Sequence, residues 1–160
     1  MIKISVILTT YNGEKAIEKT MQSILNQEGS QVDFEMELIV VDDCSTDNTV
    51  ALIKNYDCRL IENPTNSGGP NQGRNIGLKL ATGDYICIAD QDDIWHSNKI
   101  KAILPYLNHA PIITSGYLIV DKHKHKKIDK INRSEAGFIF YESNVTFMNI
   151  LQRNFSGQQT

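Results

Sequence analysis

The sequence predicts an α/β fold, an open and mostly parallel sheet with helices on both faces. Four strand-like runs at residues 3–9, 37–43, 58–62 and 84–90 are separated by segments with helical patterning. Two of them, Ile4-Ser5-Val6-Ile7-Leu8 and Leu38-Ile39-Val40-Val41, are near-continuous apolar stretches. Strands covered on both faces look like this, whereas half-exposed strands alternate. Each run also ends on polar or acidic residues. Parallel strands joined by helices deliver those C-terminal ends to one edge, where open α/β sheets bind ligands. Thr9-Thr10-Tyr11, Asp42-Asp43, Asn63 and Asp90-Gln91-Asp92-Asp93 are therefore expected to meet in space.

The elements follow in order. Residues 15–27 place Ile17, Met21, Ile24 and Leu25 on one helical face, with Asn12 or Gly13 as N-cap. Ser45 and Asp47 are candidate caps of a second helix that turns Val50 and Ile53 inward. Pro70 suits the first turn of a third helix and Gly83 its C-cap. Gly73 and Gly77, one turn apart on it, allow close approach to a neighbour or ligand. Ser97 is expected to cap a helix reaching Leu104, with Ile100, Ile103 and Leu104 inward and Pro105 ending or kinking it, unless a second helical turn starts there. Residues 112–120 read as one further strand, 121–127 as a charged turn and 144–152 as a short helix.

Composition narrows the function classes. The 160 residues are one domain's worth of chain, 41% hydrophobic and 22% charged, as in ordinary globular proteins. Sixteen Lys+Arg against 19 Asp+Glu leave a net charge of −3, which gives no overall attraction to nucleic acid. No apolar run approaches the ~20 residues of a membrane-spanning helix. Cys44, Cys58 and Cys87 match no metal or redox spacing and read as buried, reduced thiols of a cytoplasmic protein.

The chemistry-bearing residues cluster at the strand ends. In Asp90-Gln91-Asp92-Asp93, an Asp-x-Asp leaving a strand places two carboxylates on one side of the chain. Hard oxygen ligands suit Mg²⁺ or Mn²⁺, usually shared with substrate phosphates. The plainer account is an acidic cluster at a helix N-terminus. Asp43 suits hydrogen bonding to a base or ribose. The loop from Asn66 to Asn75 is either a glycine-rich turn with a surface arginine or offers backbone N–H groups to phosphate, with Arg74 presenting a guanidinium to phosphate or base. Tyr11 either packs as an ordinary aromatic or offers a ring to stack on a nucleobase, and Trp95 is either a core aromatic or a wall of a sugar pocket. His123 and His125, among lysines, suggest a metal or anionic-lipid patch less well than a solvated hairpin tip. The first strand lacks the Gly-x-Gly-x-x-Gly of a dinucleotide fold.

Together, Ser5-Val6-Ile7-Leu8-Thr9-Thr10-Tyr11-Asn12, Val40-Val41-Asp42-Asp43-Cys44-Ser45-Thr46-Asp47, residues 66–77 and residues 83–95 resemble the family 2 glycosyltransferases, inverting enzymes of the Rossmann-like GT-A fold. The Asp-Gln-Asp-Asp-Ile-Trp form is similar to bacterial polysaccharide and rhamnosyl transferases. The resemblance covers residues 3–100 and implies a donor site. Thr9, Tyr11 and Asp43 would hold the nucleoside with Glu14 nearby, and Arg74 would lie against the nucleotide. Asp90 would meet ribose or metal, and Asp92 would coordinate Mn²⁺ or Mg²⁺ on the diphosphate of a UDP or dTDP sugar. The acceptor would be a glycan or lipid-linked sugar in cell-surface polysaccharide synthesis, with peripheral membrane association at the inner face.

The same resemblance implies one GT-A domain over 1–160, a nucleotide-sugar-binding half at 1–100 and an incomplete acceptor half at 101–160. The family's general base, an Asp or Glu, is expected beyond Thr160, after a stretch resembling residues 154–157. The alternatives are a non-catalytic nucleotide-sugar-binding remnant and a sugar nucleotidyltransferase. Tyr11-Asn12-Gly13-Glu14-Lys15 fits the latter poorly, because that chemistry wants a glycine-rich basic loop there.

Overall fold

The structure, a computed structural model, describes residues 1–109, 112–115, 118–120, 126–128 and 138–140. The chain forms two compact units, Met1–Ala102 and Ile103–Thr160. In the first unit, β1 (Ile2–Thr10), β2 (Phe34–Asp42), β3 (Arg59–Glu62) and β4 (Tyr85–Asp90) make one parallel sheet. Its order is β3-β2-β1-β4. Helices α1 (Ile17–Leu25), α2 (Thr49–Ile53) and α3 (Pro70–Leu80) connect the strands, and α4 (Lys99–Ile103) follows β4.

This order follows from chirality. Parallel crossovers are right-handed. The chain steps from β1 to β2 to β3 in one direction and then returns across the sheet to β4. That reversal sends α3 to the opposite face from α1 and α2, and it puts the topological switch point between β1 and β4. Packing agrees with the geometry. A Cβ on Gly73 would stand 2.9 Å from Thr9 Cγ2, and one on Gly77 would collide with Ile7 Cγ2, so α3 lies directly on β1. Ile4, Val6 and Leu8, whose side chains point the other way, are fully buried too. Ile86 and Ile88 on β4 remain 41% and 46% exposed, so the apolar run at this flanking strand does not mean burial on both faces.

Several local expectations are corrected. The buried stripe of α1 is Ile17, Thr20, Met21 and Ile24, and Leu25 is half-buried. At 100° per residue, Leu25 lies roughly 90° round from the stripe's centre and Thr20 roughly 50°. Ala16, not Asn12 or Gly13, holds the N-cap position of α1, while the Gly13 carbonyl accepts from the Ala16 and Ile17 N–H groups. Asn48 holds that position in α2, and the Asp47 carboxylate accepts the Thr49 N–H one residue further on. Pro70 opens α3 as expected, but Ala81 is its C-cap. Gly83 is instead needed for close approach to β1, since a Cβ there would stand 2.6 Å from Ser5 N and 2.9 Å from Lys3 O. Ser97 donates to Glu28 rather than capping α4. Ile100 is buried, while Ile103 and Leu104 are only half-buried. Pro105 falls in a 3₁₀ turn, Leu104–Tyr106, directly after α4.

In the second unit, β5 (Ile113–Ser115) pairs antiparallel with β8 (Phe138–Phe140). β6 (Leu118–Val120) pairs antiparallel with β7 (Lys126–Ile128). The single strand expected over 112–120 is therefore two, in two different sheets; Gly116 in the sequence between them is a residue type that weakens strand interiors. Lys126 and Lys127, expected in the charged turn, belong to β7. Residues 121–125, with His123 and His125, the helix expected at 144–152 and the stretch 154–157 lie outside the described residues.

At the end of the sheet opposite the acidic edge, Glu37 gathers four donors. Its carboxylate accepts the Ser5 hydroxyl, the Thr82 N–H at 2.7 Å and the Thr82 hydroxyl, and lies 3.5 Å from Lys3 Nζ. Burial raises the carboxyl, but the bonds from Ser5 and Thr82 and the Lys3 charge together outweigh it and bring its pKa down to about 2. A depressed carboxylate stabilises the fold above its unfolded pKa, and that gain fades as pH falls from about 4.5 toward 2. Glu37→Gln is expected to cost about 2–3 kcal/mol near neutral pH. In chemical denaturation, the gap between variant and wild type should close below pH 4; a gap that stays constant from pH 7 to 3 would refute this role.

Candidate functional site

Register brings the strand ends together. Thr9 is paired with Asp90 on one side and Val41 on the other, and Thr10 with Asp42. The ladder continues past the strands, with Asp43 N–H donating to Thr10 O and Asn63 N–H to Asp42 O, both at 2.8 Å. Strands lie about 4.8 Å apart, so the ends of β2 and β4 flank β1 across about 10 Å. Thr9–Tyr11, Asp42–Asp43, Asn63 and Asp90–Asp93 therefore share one edge, each delivered by its own strand.

The loops after β1 and β2 are laced together. Asn12 N–H donates to Ser45 Oγ at 2.9 Å, Thr46 N–H to Asn12 Oδ1 at 2.8 Å and Gly13 N–H to Thr49 Oγ1 at 2.8 Å. Glu14 N–H donates to Asp47 Oδ2, while Glu14 Oε2 accepts from Asn48 N–H and Nδ2. Asp42 accepts the Ser45 N–H at 2.8 Å and the Ser45 hydroxyl. Asn12 and Cys44 take positive φ angles of 47° and 66° at the two bends. Three carboxylates on this side, Glu14, Asp42 and Asp47, are thus engaged in shaping the loops.

Asp43 is 6% exposed and organises a third loop. Its Oδ1 accepts from Asn63 Nδ2 and its Oδ2 from the Ser67 N–H and hydroxyl, each at 2.9 Å. Burial raises its pKa, but the Asn63 and Ser67 bonds together pull it below the ordinary value. Three of a carboxylate's roughly four acceptor positions are used by these bonds, leaving one. Thr9 is nearly buried, with its methyl under Gly73, and Tyr11 is 44% exposed.

On the other side, Arg74 in the second turn of α3 donates from an Nη nitrogen to Asp90 Oδ1 at 2.6 Å. Its Nε is buried and has no hydrogen-bond partner among the described residues. β4 ends at Asp90, and residues 90–93 form a turn in which Asp93 N–H donates to Asp90 O at 3.2 Å. Asp92 therefore sits in a turn, so the strand-alternation argument for pairing it with Asp90 does not apply; the turn itself gathers the acids. Burial pushes the Asp93 carboxyl up, and the Asp90 and Asp92 charges push it further, against the pull of Lys99.

Among the described residues no group of three His, Cys, Asp or Glu side chains is set to hold a metal ion by itself. The hard oxygens of Asp90 and Asp92, in a patch where negative charges repel, do fit a divalent ion that takes its remaining ligands from a diphosphate.

Trp95 is 6% exposed, with its N–H backbone group on Ser23 Oγ and the Lys99 ammonium 5.0 Å from its ring centroid. It packs as a buried aromatic. Cys44, Cys58 and Cys87 are free thiols but half-buried rather than buried. Burial pushes Cys58 up and takes Cys87 to about 11. No helix of the described residues is long and apolar enough to cross a membrane. Sequence reasoning placed Gln91 at this edge but gave it no role; it bonds to Thr10 and Tyr11, and its place between two acids was the signal.

Comparison with known proteins adds independent findings. The family model described as Glycosyl transferase family 2 matches residues 5–156. Poly(ribitol-phosphate) beta-N-acetylglucosaminyltransferase TarS of Staphylococcus aureus is 37% identical over 119 residues, which is 71% of this chain and 20% of TarS. TarP of the same species is 32% identical over 160 residues, 96% of this chain and 46% of TarP. The crystal structure of TarS 1-349 in complex with UDP superposes with a TM-score of 0.62 at 36% identity, over 68% of this chain and 32% of that one. A mannosyltransferase from Pyrobaculum calidifontis, solved with GDP-Man and Mn²⁺, gives 0.55 at 28% identity over 63% of this chain and 32% of that one. The chain thus spans less than half the length of these relatives. Its parallel sheet, its Rossmann-like GT-A architecture and the family match lead to one conclusion: this chain belongs to glycosyl transferase family 2.

Proposed function

We propose that residues 1–100 form the donor half of a metal-dependent, inverting glycosyltransferase. The whole enzyme moves a sugar from a nucleoside diphosphate sugar to a glycan or lipid-linked acceptor in cell-surface polysaccharide synthesis. The observation that carries this reading is the alignment of Thr9–Tyr11, Asp43 and Asp90–Asp93 on one edge at the switch point of the sheet. Relatives named for UDP, GDP-Man and poly(ribitol-phosphate) support the donor class and the polymer acceptor.

Each residue has a part. Tyr11 stacks on the base, above a floor of Thr9 and Asp43 whose last acceptor position takes a base or ribose donor. Glu14 supports that floor through its bonds to Asn48. Arg74 donates to phosphate oxygens and keeps Asp90 oriented toward ribose or metal. Asp92, with Asp90, holds the cation. When bound, Mn²⁺ or Mg²⁺ stabilises the charge that develops on the departing diphosphate without needing a proton. The acceptor oxygen bonds to the anomeric carbon as the bond to diphosphate breaks, and a base must take the hydroxyl proton. None of the donor-edge carboxylates is assigned that task. Residues 101–160 belong to the acceptor half, and the enzyme works in the cytoplasm, at the inner face of the membrane when its acceptor is lipid-linked.

Calorimetry of this chain with UDP and with dTDP, with and without Mn²⁺, tests the reading. Binding of one nucleotide that tightens at least tenfold with Mn²⁺ is expected. No binding of either nucleotide at millimolar concentration would overturn it.

A further inference from the structure

The switch point between β1 and β4 is bridged by one side chain. Gln91 Oε1 accepts the Thr10 hydroxyl and the Tyr11 N–H, both at 2.8 Å. Its Nε2 donates to Tyr11 O at 3.1 Å. Its own carbonyl accepts the hydroxyl of Thr20, fully buried on α1, at 2.7 Å. Three side-chain bonds thus join the residue between Asp90 and Asp92 to the strand end and loop that carry Tyr11, and a fourth, through its backbone, joins it to α1. The loop is shaped for the carboxamide as well. A Cβ on Gly13 would stand 2.6 Å from Gln91 Oε1, so any other residue there would push the carboxamide from this position.

The chemistry requires a glutamine. The Tyr11 backbone presents a donor and an acceptor, and a carboxamide answers both at once. Glutamate keeps the two accepted bonds but cannot donate to Tyr11 O, and asparagine is one methylene short. Local demands of the turn explain none of this, because every partner of the side chain lies about 80 residues away in sequence.

We propose that Gln91 is a positioning residue that sets the nucleoside loop in register with the metal-bearing turn. It contacts neither donor nor cation. Its bonds hold the Tyr11 backbone at a constant offset from Asp90 and Asp92, so that a nucleotide seated at Tyr11 presents its diphosphate where the acids hold the ion. This inference rests on the donor-site reading above and names what couples its two halves. Outer partners of metal ligands typically change metal affinity by about 10–100-fold when removed.

The experiment compares the Mn²⁺-dependent gain in nucleotide affinity, using whichever of UDP or dTDP the wild type binds, in wild type, Gln91→Ala and Gln91→Glu. Thermal unfolding of each variant without ligand is measured alongside. Gln91→Ala should lose about tenfold of the Mn²⁺ gain, while metal-free affinity changes several-fold less. Gln91→Glu, which retains two of the three side-chain bonds, should recover part of the gain. A wild type that binds neither nucleotide overturns the donor reading and this inference with it. A wild type that binds, with Gln91→Ala keeping the whole gain or losing affinity equally with and without metal, overturns the positioning role alone.

Discussion

Asp43→Ala should lose about 2–4 kcal/mol of folding stability and nearly all nucleotide binding, the largest combined effect expected for a single site. The carboxylate is buried and accepts three hydrogen bonds from Asn63 and Ser67, while Asn66 Nδ2 bonds its carbonyl at 3.1 Å. Truncation strands the nearly buried Asn63 amide and releases the loop through Gly68 that leads into α3 and Arg74. Hydrogen bonds to a charged group contribute about 1.5–3 kcal/mol each, and an orphaned buried donor adds its own desolvation cost. Asp43→Asn should be milder, since its amide oxygen still accepts while its NH₂ faces a donor. The carboxyl's lowered pKa means that its contribution is complete above the unfolded value and is lost as pH falls through the depressed one. Urea denaturation and amide exchange at Ser67 read the effect. An Asp43→Ala protein with unchanged denaturation midpoint and unchanged Ser67 protection would remove the argument.

Asp92→Ala should leave folding untouched and abolish the metal-dependent part of nucleotide affinity, a loss of at least tenfold in Mn²⁺ and almost none in EDTA. Asp92 is exposed in the turn after β4 and makes no bond that supports the fold among those described, so its removal leaves no stranded partner. Its removal also relieves the repulsion that helps to raise Asp93. Stability should therefore hold or rise slightly, which separates this variant from Asp43→Ala. Asp90→Ala is a poorer probe, because it also frees Arg74 from its 2.6 Å contact. Titration of UDP or dTDP in Mn²⁺ and in EDTA decides the matter. An Asp92→Ala protein that keeps the wild-type response to Mn²⁺ would exclude this carboxylate from the ion's coordination.

The two predictions differ because buried and exposed acids do different work at this edge. Asp43 is a structural anchor that, in the proposed donor site, also meets the ligand. Asp92 makes no bond that supports the fold among those described, which in the proposed site leaves its carboxylate to a cation. Between them, Glu14, Asp42 and Asp47 shape the laced loops, so a count of acids at the edge overstates how many can reach a ligand.

Hydrophobic runs of the right length, spaced by helical patterning, were sufficient to define four parallel strands and the edge at which they end. Pro70 marked a helix start, and Gly73 and Gly77 marked a close contact, because each restricts the backbone in only a few ways. These are local properties, legible one segment at a time. The roles within the edge were not local. Asp43 meets Asn63 and Ser67, Gln91 meets Tyr11, and Glu37 meets Ser5 and Thr82 only after parallel pairing brings distant segments into register. Gly83 read as a helix cap and proved to be a contact with β1 for the same reason. The chain's own pattern determined which residue types reach the ligand edge. Tertiary packing alone decided which of them are consumed in holding that edge together, because a hydrogen bond across 80 residues leaves no periodic trace in sequence.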